Sequence, residues 1–169
     1  MKESSNDRKR FLVKSKIGLG RDFTVYDDEE AKHKVYRIDA KIGLGSKAEI
    51  MDANDTVIYT AKGKIINIPK QMDYFDTDGG HVAKARAHIS PIRSRITIEL
   101  TNGHKWELTG NFIEKNYQVR DGDSVIIEVD QKWLTVRDKY MVEIANDVDV
   151  PLALGIIWAV DVWREGKNK

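Results

Sequence analysis

The stretch Val148–Trp163 reads VDVPLALGIIWAVDVW, and its middle, Leu152 to Val160, holds no charged side chain and no polar group except the Trp158 indole N–H. A helix made of it is apolar on every face and must be buried all round. Asn146, Asp147 and Asp149 put capping oxygens and negative charge at its start, and Pro151 suits a first-turn position. Arg164 in the last turn and Gly166 just beyond mark its end. About 15 residues make a rod about 22 Å long. That is short of the roughly 20 apolar residues that cross a bilayer, and Asp149 and Asp161 bracket the apolar part. The rod therefore needs a protein jacket, and the preceding chain has to supply it.

Composition bounds the rest. A chain of 169 residues is long enough for one domain, burying about 70% of its unfolded surface without staples. Cysteine is absent, which excludes disulfides, thiolate zinc sites and thiol catalysis. Lys plus Arg number 28 against 27 Asp plus Glu, so any electrostatic function is local and nucleic acid is not indicated as a partner. The opening MKESSNDRKR leads into only a short apolar patch, Phe11 to Val13. No signal peptide is expected from it, and the expected location is cytoplasmic, peripheral at the membrane if lipid is bound.

Residues 1–10 are polar and read as a disordered tail. From Phe11 onward short alternating segments are separated by Gly, Asn and Asp, the pattern of an antiparallel β protein. Strands are expected near 11–17, 22–27, 33–41, 47–53, 57–63, 70–75, 81–88, 94–100, 104–110, 115–120, 124–132 and 139–145. Asn102-Gly103 and Asp121-Gly122 are hairpin signals. The pentapeptide KIGLG occurs at 16–20 and again at 41–45, with weaker echoes near Ile65, Ile89, Phe112 and Trp133. One two-strand unit is thus reused six times, none able to bury its apolar face alone.

Twelve strands before an all-apolar helix predict a closed antiparallel barrel with the helix inside: about eight strands leave room only for side chains, whereas a wider barrel has a lumen to fill. The expected inward residues are Val13, Phe23, Val25, Tyr36, Ile38, Ile50, Ile58, Ala83, Ala85, Ile96, Ile98, Trp106, Tyr117, Val125, Ile127, Val129, Tyr140 and Val142. Ala83, Ala85 and Ala87 are expected to let the helix approach closely on one side. The expected organisation is a single domain over 11–166, with strands in 11–147, a central helix at about 149–164, and a tail at 167–169.

The segments VIIEVDQKW at 125–133 and KYMVEI at 139–144, followed directly by the apolar run, resemble the LURP-one-related proteins. So do KIGLG at 41–45 with Ile50-Met51-Asp52, and the hairpin WELTGNF at 106–112. The resemblance covers nearly all of residues 11–163. It implies the tubby C-terminal fold, a mainly β, twelve-stranded barrel around a C-terminal helix, shared with phospholipid scramblases. It implies no established reaction. Tubby domains bind phosphoinositides and scramblases act on bilayers, but neither a tubby lipid motif nor a scramblase calcium motif matches here residue by residue.

Chemistry-bearing motifs are sparse. Gly18/Gly20 and Gly43/Gly45 lack a third glycine and a following helix, so they read as hairpin bends. The run Asp76-Thr77-Asp78-Gly79-Gly80 lacks the bidentate Glu of a calcium loop, Ala87 standing there instead. His33, His81, His88 and His104 lie on separate strands, and Ser90, Ser94 and Ser124 sit in no nucleophile elbow. Neither catalysis nor a cofactor or metal is expected. The remaining constellation is basic: Lys84, Arg86 and His88 alternate with alanines and share an outer face, and Arg93 and Arg95 follow across Pro91. Lys62 with Lys64 forms a second, smaller cluster. These cations suit anionic lipid head groups or phosphorylated ligands, with Glu99 and Glu107 placed to neutralise part of them. The competing reading is a scaffold that binds an unidentified protein partner and ignores lipid.

Overall fold

The structure, a computed structural model, describes residues 8–16, 22–41, 46–63, 70–88, 94–111, 114–130 and 139–167. Among the described residues twelve strands precede one helix: β1 (Arg8–Lys16), β2 (Asp22–Tyr26), β3 (Lys34–Lys41), β4 (Lys47–Asp52), β5 (Val57–Gly63), β6 (Lys70–Phe75), β7 (His81–His88), β8 (Arg95–Leu100), β9 (Lys105–Asn111), β10 (Asn116–Asp121), β11 (Ser124–Asp130), β12 (Lys139–Ala145) and α1 (Val150–Lys167). Every strand pairs antiparallel with its sequence neighbours, and β1 pairs with β12, closing the barrel. This up-and-down order leaves no sheet edge exposed.

Because the strands simply alternate in direction, the connections sort to the two ends. The tight turns β2–β3, β4–β5, β6–β7, β8–β9 and β10–β11 share one end with the lead-in to α1. The connections β1–β2, β3–β4, β5–β6, β7–β8, β9–β10 and β11–β12 share the other, and lie wholly or partly outside the described residues. Both KIGLG pentapeptides begin at the last residue of a strand running to that second end, Lys16 of β1 and Lys41 of β3.

The expected helix is the centre of the molecule. Every residue from Leu152 to Asp161 is buried, and Val150, Ile156, Trp158 and Trp163 belong to one core cluster with Phe23, Ile50, Tyr74 and Tyr140 from around the wall. Full burial contributes roughly 1.5–3 kcal/mol for each large aliphatic side chain. Asp149 caps the helix: its carbonyl accepts from Ala153 N at 3.0 Å and its Oδ1 from Leu152 N at 3.3 Å, while its Oδ2 accepts the Tyr59 hydroxyl of β5. One side chain thus satisfies an orphan helix donor and ties the helix to the wall. Asp149→Ala is expected to cost about 1–2 kcal/mol in urea denaturation, and Asp149→Asn, which keeps an acceptor, less than half of that.

Several details depart from the alternation pattern. Strand β1 begins at Arg8, because Arg8 reaches Glu128 at 3.0 Å and Glu143 at 3.8 Å, with Arg10 at 3.9 Å from Glu143. Glu128 and Glu143 face each other across β11 and β12, and these arginines relieve a like-charge opposition that would otherwise weaken the seam. Ile58 does not face inward: Tyr59 opposes Ile50 and Ala61 opposes Ala48, after a bulge between Ile50 and Met51 has shifted the phase. A second bulge, between Val119 and Arg120, turns Val125 outward opposite Arg120 and buries Ile126 in its place. The tight turn after β10 is Gly122-Asp123, with Asp121 opposite Ser124, one residue beyond the expected pair. Finally, α1 lies closest to β3–β6, not to the alanine strand β7. Ala83 and Ala85 are buried beside Tyr74 and Met72 of β6 and Leu100 and Ile98 of β8, so their small size makes room for these larger neighbours.

Close approach on the β4–β6 side comes from Gly155. A Cβ there would stand 2.6 Å from Ile50 Cδ1 and 3.1 Å from Tyr74 Cε1. The Tyr74 hydroxyl donates to the Gly155 carbonyl at 2.8 Å inside the core, and burial pushes that hydroxyl well above the ordinary tyrosine value.

Candidate functional site

Among the described residues the best-enclosed interior space offers no room for a ligand. At the C-terminal end of α1, Lys115, Tyr117, Tyr140 and Asp161 surround a space too small for one water molecule. Asp161, 4% exposed, pairs with Arg164 at 3.0 Å, and the Lys115 ammonium lies 4.8 Å from the Tyr140 ring centre. Burial, reinforced by the Asp161 charge, raises the Tyr117 hydroxyl far above its ordinary value. These are buried charges matched among themselves. Outside, a polar groove of about 250 Å³ runs over Thr109, Asn111, Asn116, Gln118 and Glu128. Its polar groups are largely committed: Asn111 accepts from Glu114 N at 3.2 Å, Gln118 from Arg120 at 3.1 Å, and Glu128 from Arg8.

Three of the four histidines are paired with carboxylates. His33 pairs with Asp27 at 2.8 Å, His81 with Asp73 at 2.9 Å and His104 with Asp121 at 2.8 Å. Among the described residues no three metal-ligating side chains converge. Asp76 accepts from Asp78 N at 3.0 Å and Gly80 N at 2.7 Å, so its carboxylate serves the turn.

The outer face is where charge is left over. Strand pairing aligns Lys41, Lys47, Lys62, Asp73, Lys84 and Glu99 as a continuous row crossing β3 to β8. Lys41 is bridged to Asp39 at 2.7 Å and Glu49 at 2.8 Å, and these bonds hold its ammonium above the usual lysine value. Lys47 stands directly between Lys41 and Lys62, and among the described residues it has no carboxylate partner. Among the described residues Lys62 has only the Phe75 ring, 5.4 Å from its ammonium. Lys84 lies between Asp73 and Glu99 without a bridge to either. Burial acts to raise the Asp73 carboxyl, but hydrogen bonds from Gln71 and His81 and the Lys84 charge outweigh it, so the group is held below its ordinary value.

The expected basic patch is thus partly assembled. Arg86 lies on the same face, opposite the neutral Gln71 and Thr97. Arg95 opposes His88 but is tied to Glu107 at 2.8 Å, as its acidic neighbours suggested. Arg93 and Lys64 lie outside the described residues. Lys47 was not singled out by its sequence, although it follows the second KIGLG repeat by two residues; only strand register shows it opposite Lys62.

A family model described as LURP-one-related matches residues 9–161. The chain belongs to the LURP-one-related family. The LURP-one-related barrel is also 22% identical over 141 residues, 83% of each chain, to YxjI, an uncharacterized protein of Bacillus subtilis strain 168. It superposes on the X-ray structure of an Arabidopsis thaliana protein with a TM-score of 0.64 at 13% identity, covering 90% of both chains. That level of identity supports the shared fold and nothing finer. No helix among the described residues of this LURP-one-related chain is long and apolar enough to cross a membrane.

Proposed function

We propose that this LURP-one-related barrel works by binding rather than catalysis, and that its outer face across β4–β7 receives anionic head groups or other phosphorylated ligands. The supporting observation is the direct opposition of Lys47 and Lys62, with Lys84 and Arg86 close by on the same face. Like charges directly opposite one another destabilise a sheet. Where two anions oppose, as at Glu128/Glu143 and Asp39/Glu49, this barrel supplies bridging cations. No described carboxylate bridges Lys47 and Lys62. An external anion completes that arrangement.

Substituting Lys47→Glu tests the reading. It places a carboxylate between Lys41 and Lys62, so the midpoint of thermal unfolding should rise slightly. Co-sedimentation with phosphatidylserine-containing vesicles should fall about tenfold or more, since each basic residue near such a surface is worth about 1 kcal/mol. Unchanged vesicle binding would remove the proposal. Wild-type protein indifferent to all vesicles and to inositol phosphates would leave the partner-binding scaffold in its place.

A further inference from the structure

The charge of this barrel is segregated along its axis, although the chain as a whole carries only +1. At the tight-turn end, Asp27, Asp28, Glu29, Glu30, Asp52, Asp55, Asp76, Asp78, Asp121 and Asp123 sit in or beside the turns, outnumbering the cations there, Arg8, Lys9, Arg10, Lys32, Lys34, Arg37, Lys105 and Arg120. Cations gather at the opposite end, and they do so on separate sides of the barrel. Lys14 of β1 opposes Lys139 of β12 and Lys47 of β4 opposes Lys62 of β5, while Arg95 of β8 is tied to Glu107. The described acids near that end are mostly committed to cations. Asp22 opposes Lys16, Asp39 and Glu49 are bound to Lys41, and Glu107 is bound to Arg95, while Glu114 and Asp130 stand by β10 and β11.

The C-terminal end of α1, which points the same way, does not explain this ring. The negative end of a helix dipole acts within about one turn, and Arg164 already stands there inside the barrel, with Lys115 beside the last turn. The rim lysines are on the outer surface of the wall. A soluble phosphorylated molecule needs convergent cations, whereas pairs spread around a rim match a flat, extended anionic surface.

We infer that the barrel docks end-on to an anionic lipid bilayer, its lysine rim toward the lipid and its acidic turns away. This rests on the anion-binding reading above and sharpens it by naming the partner and the orientation. In a broadside encounter through β4–β7, the β1/β12 pair lies far round the barrel and contributes nothing. In an end-on encounter it contributes as much as the residues across from it.

The full chain is assayed by co-sedimentation with phosphatidylcholine vesicles with and without phosphatidylserine, and in parallel with soluble inositol hexakisphosphate. Two neutralised proteins are compared, Lys14→Gln with Lys139→Gln, and Lys62→Gln with Arg86→Gln. Each change removes a cation from the surface, and Lys14→Gln with Lys139→Gln also relieves a like-charge opposition, so intact thermal unfolding is expected and is the control for folding. End-on docking predicts that each pair lowers partition onto phosphatidylserine vesicles about tenfold or more. Loss with the second pair but not the first overturns the orientation and leaves the anion-binding reading standing. Tight binding of inositol hexakisphosphate without vesicle binding overturns the bilayer as partner and leaves that reading intact. Wild-type protein that binds neither probe removes both.

Discussion

Replacing Trp158 by alanine is expected to lower stability by about 3–5 kcal/mol, the range for removing a large aromatic from a core. Trp158 is 2% exposed, in the middle of a helix buried on every side. A wall of twelve hydrogen-bonded strands closed on itself cannot collapse into the vacated space as a loose helical core does, so the cavity term should be near its upper range. Urea denaturation followed by tryptophan-independent circular dichroism measures it. The midpoint should drop with little change of slope, and Trp158→Phe should recover part of the loss. A cost under about 1 kcal/mol would mean that the helix does not support the wall.

Gly155→Val is expected to destabilise by about 3 kcal/mol through the opposite fault, overpacking. The new Cβ would stand 2.6 Å from Ile50 Cδ1, and Ile50 is fully buried. The Tyr74 ring, held by its hydrogen bond to the Gly155 carbonyl, blocks the other side. Gly155→Ala should cost less, because alanine regains up to about 1 kcal/mol of helix propensity. Its penalty should shrink further with Ile50→Val, which deletes the methyl carbon in the way. Such coupling between neighbours is what a double-mutant cycle reads. Additive effects of the two substitutions would place Ile50 away from Gly155.

These experiments probe what the sequence showed most clearly. An uninterrupted apolar run after a series of alternating segments fixed both the helix and its jacket, and the strands fall within a few residues of their expected limits. Ile58 and Val125 were misplaced for one reason: each follows the phase of the alternation, and a bulge in or opposite its strand shifts that phase by one residue. A bulge leaves no composition signal in these strands. Likewise the three alanines of β7 look like a helix-approach strip, whereas the contact depends on Gly155, a residue easily read as a flaw in the helix. The basic face was legible in its alternation, since Lys84 and Arg86 do point outward. Glu99 and Glu107 were expected to neutralise part of it, and Glu107 does hold Arg95; Asp73 and Lys47 were not foreseen, because they become neighbours of these cations only through register between strands.

The order of the elements along the chain has a biosynthetic consequence. The rod that fills the lumen comes after all twelve staves, and the first and last staves must also meet to complete the ring. During vectorial synthesis, at about 5–20 residues per second, the greasy inner surfaces therefore wait unfilled until the rod is released. Ribosome stalling or nonsense truncation anywhere before Val150 would yield a species that no partial folding can tidy away, a natural client for chaperones and proteases.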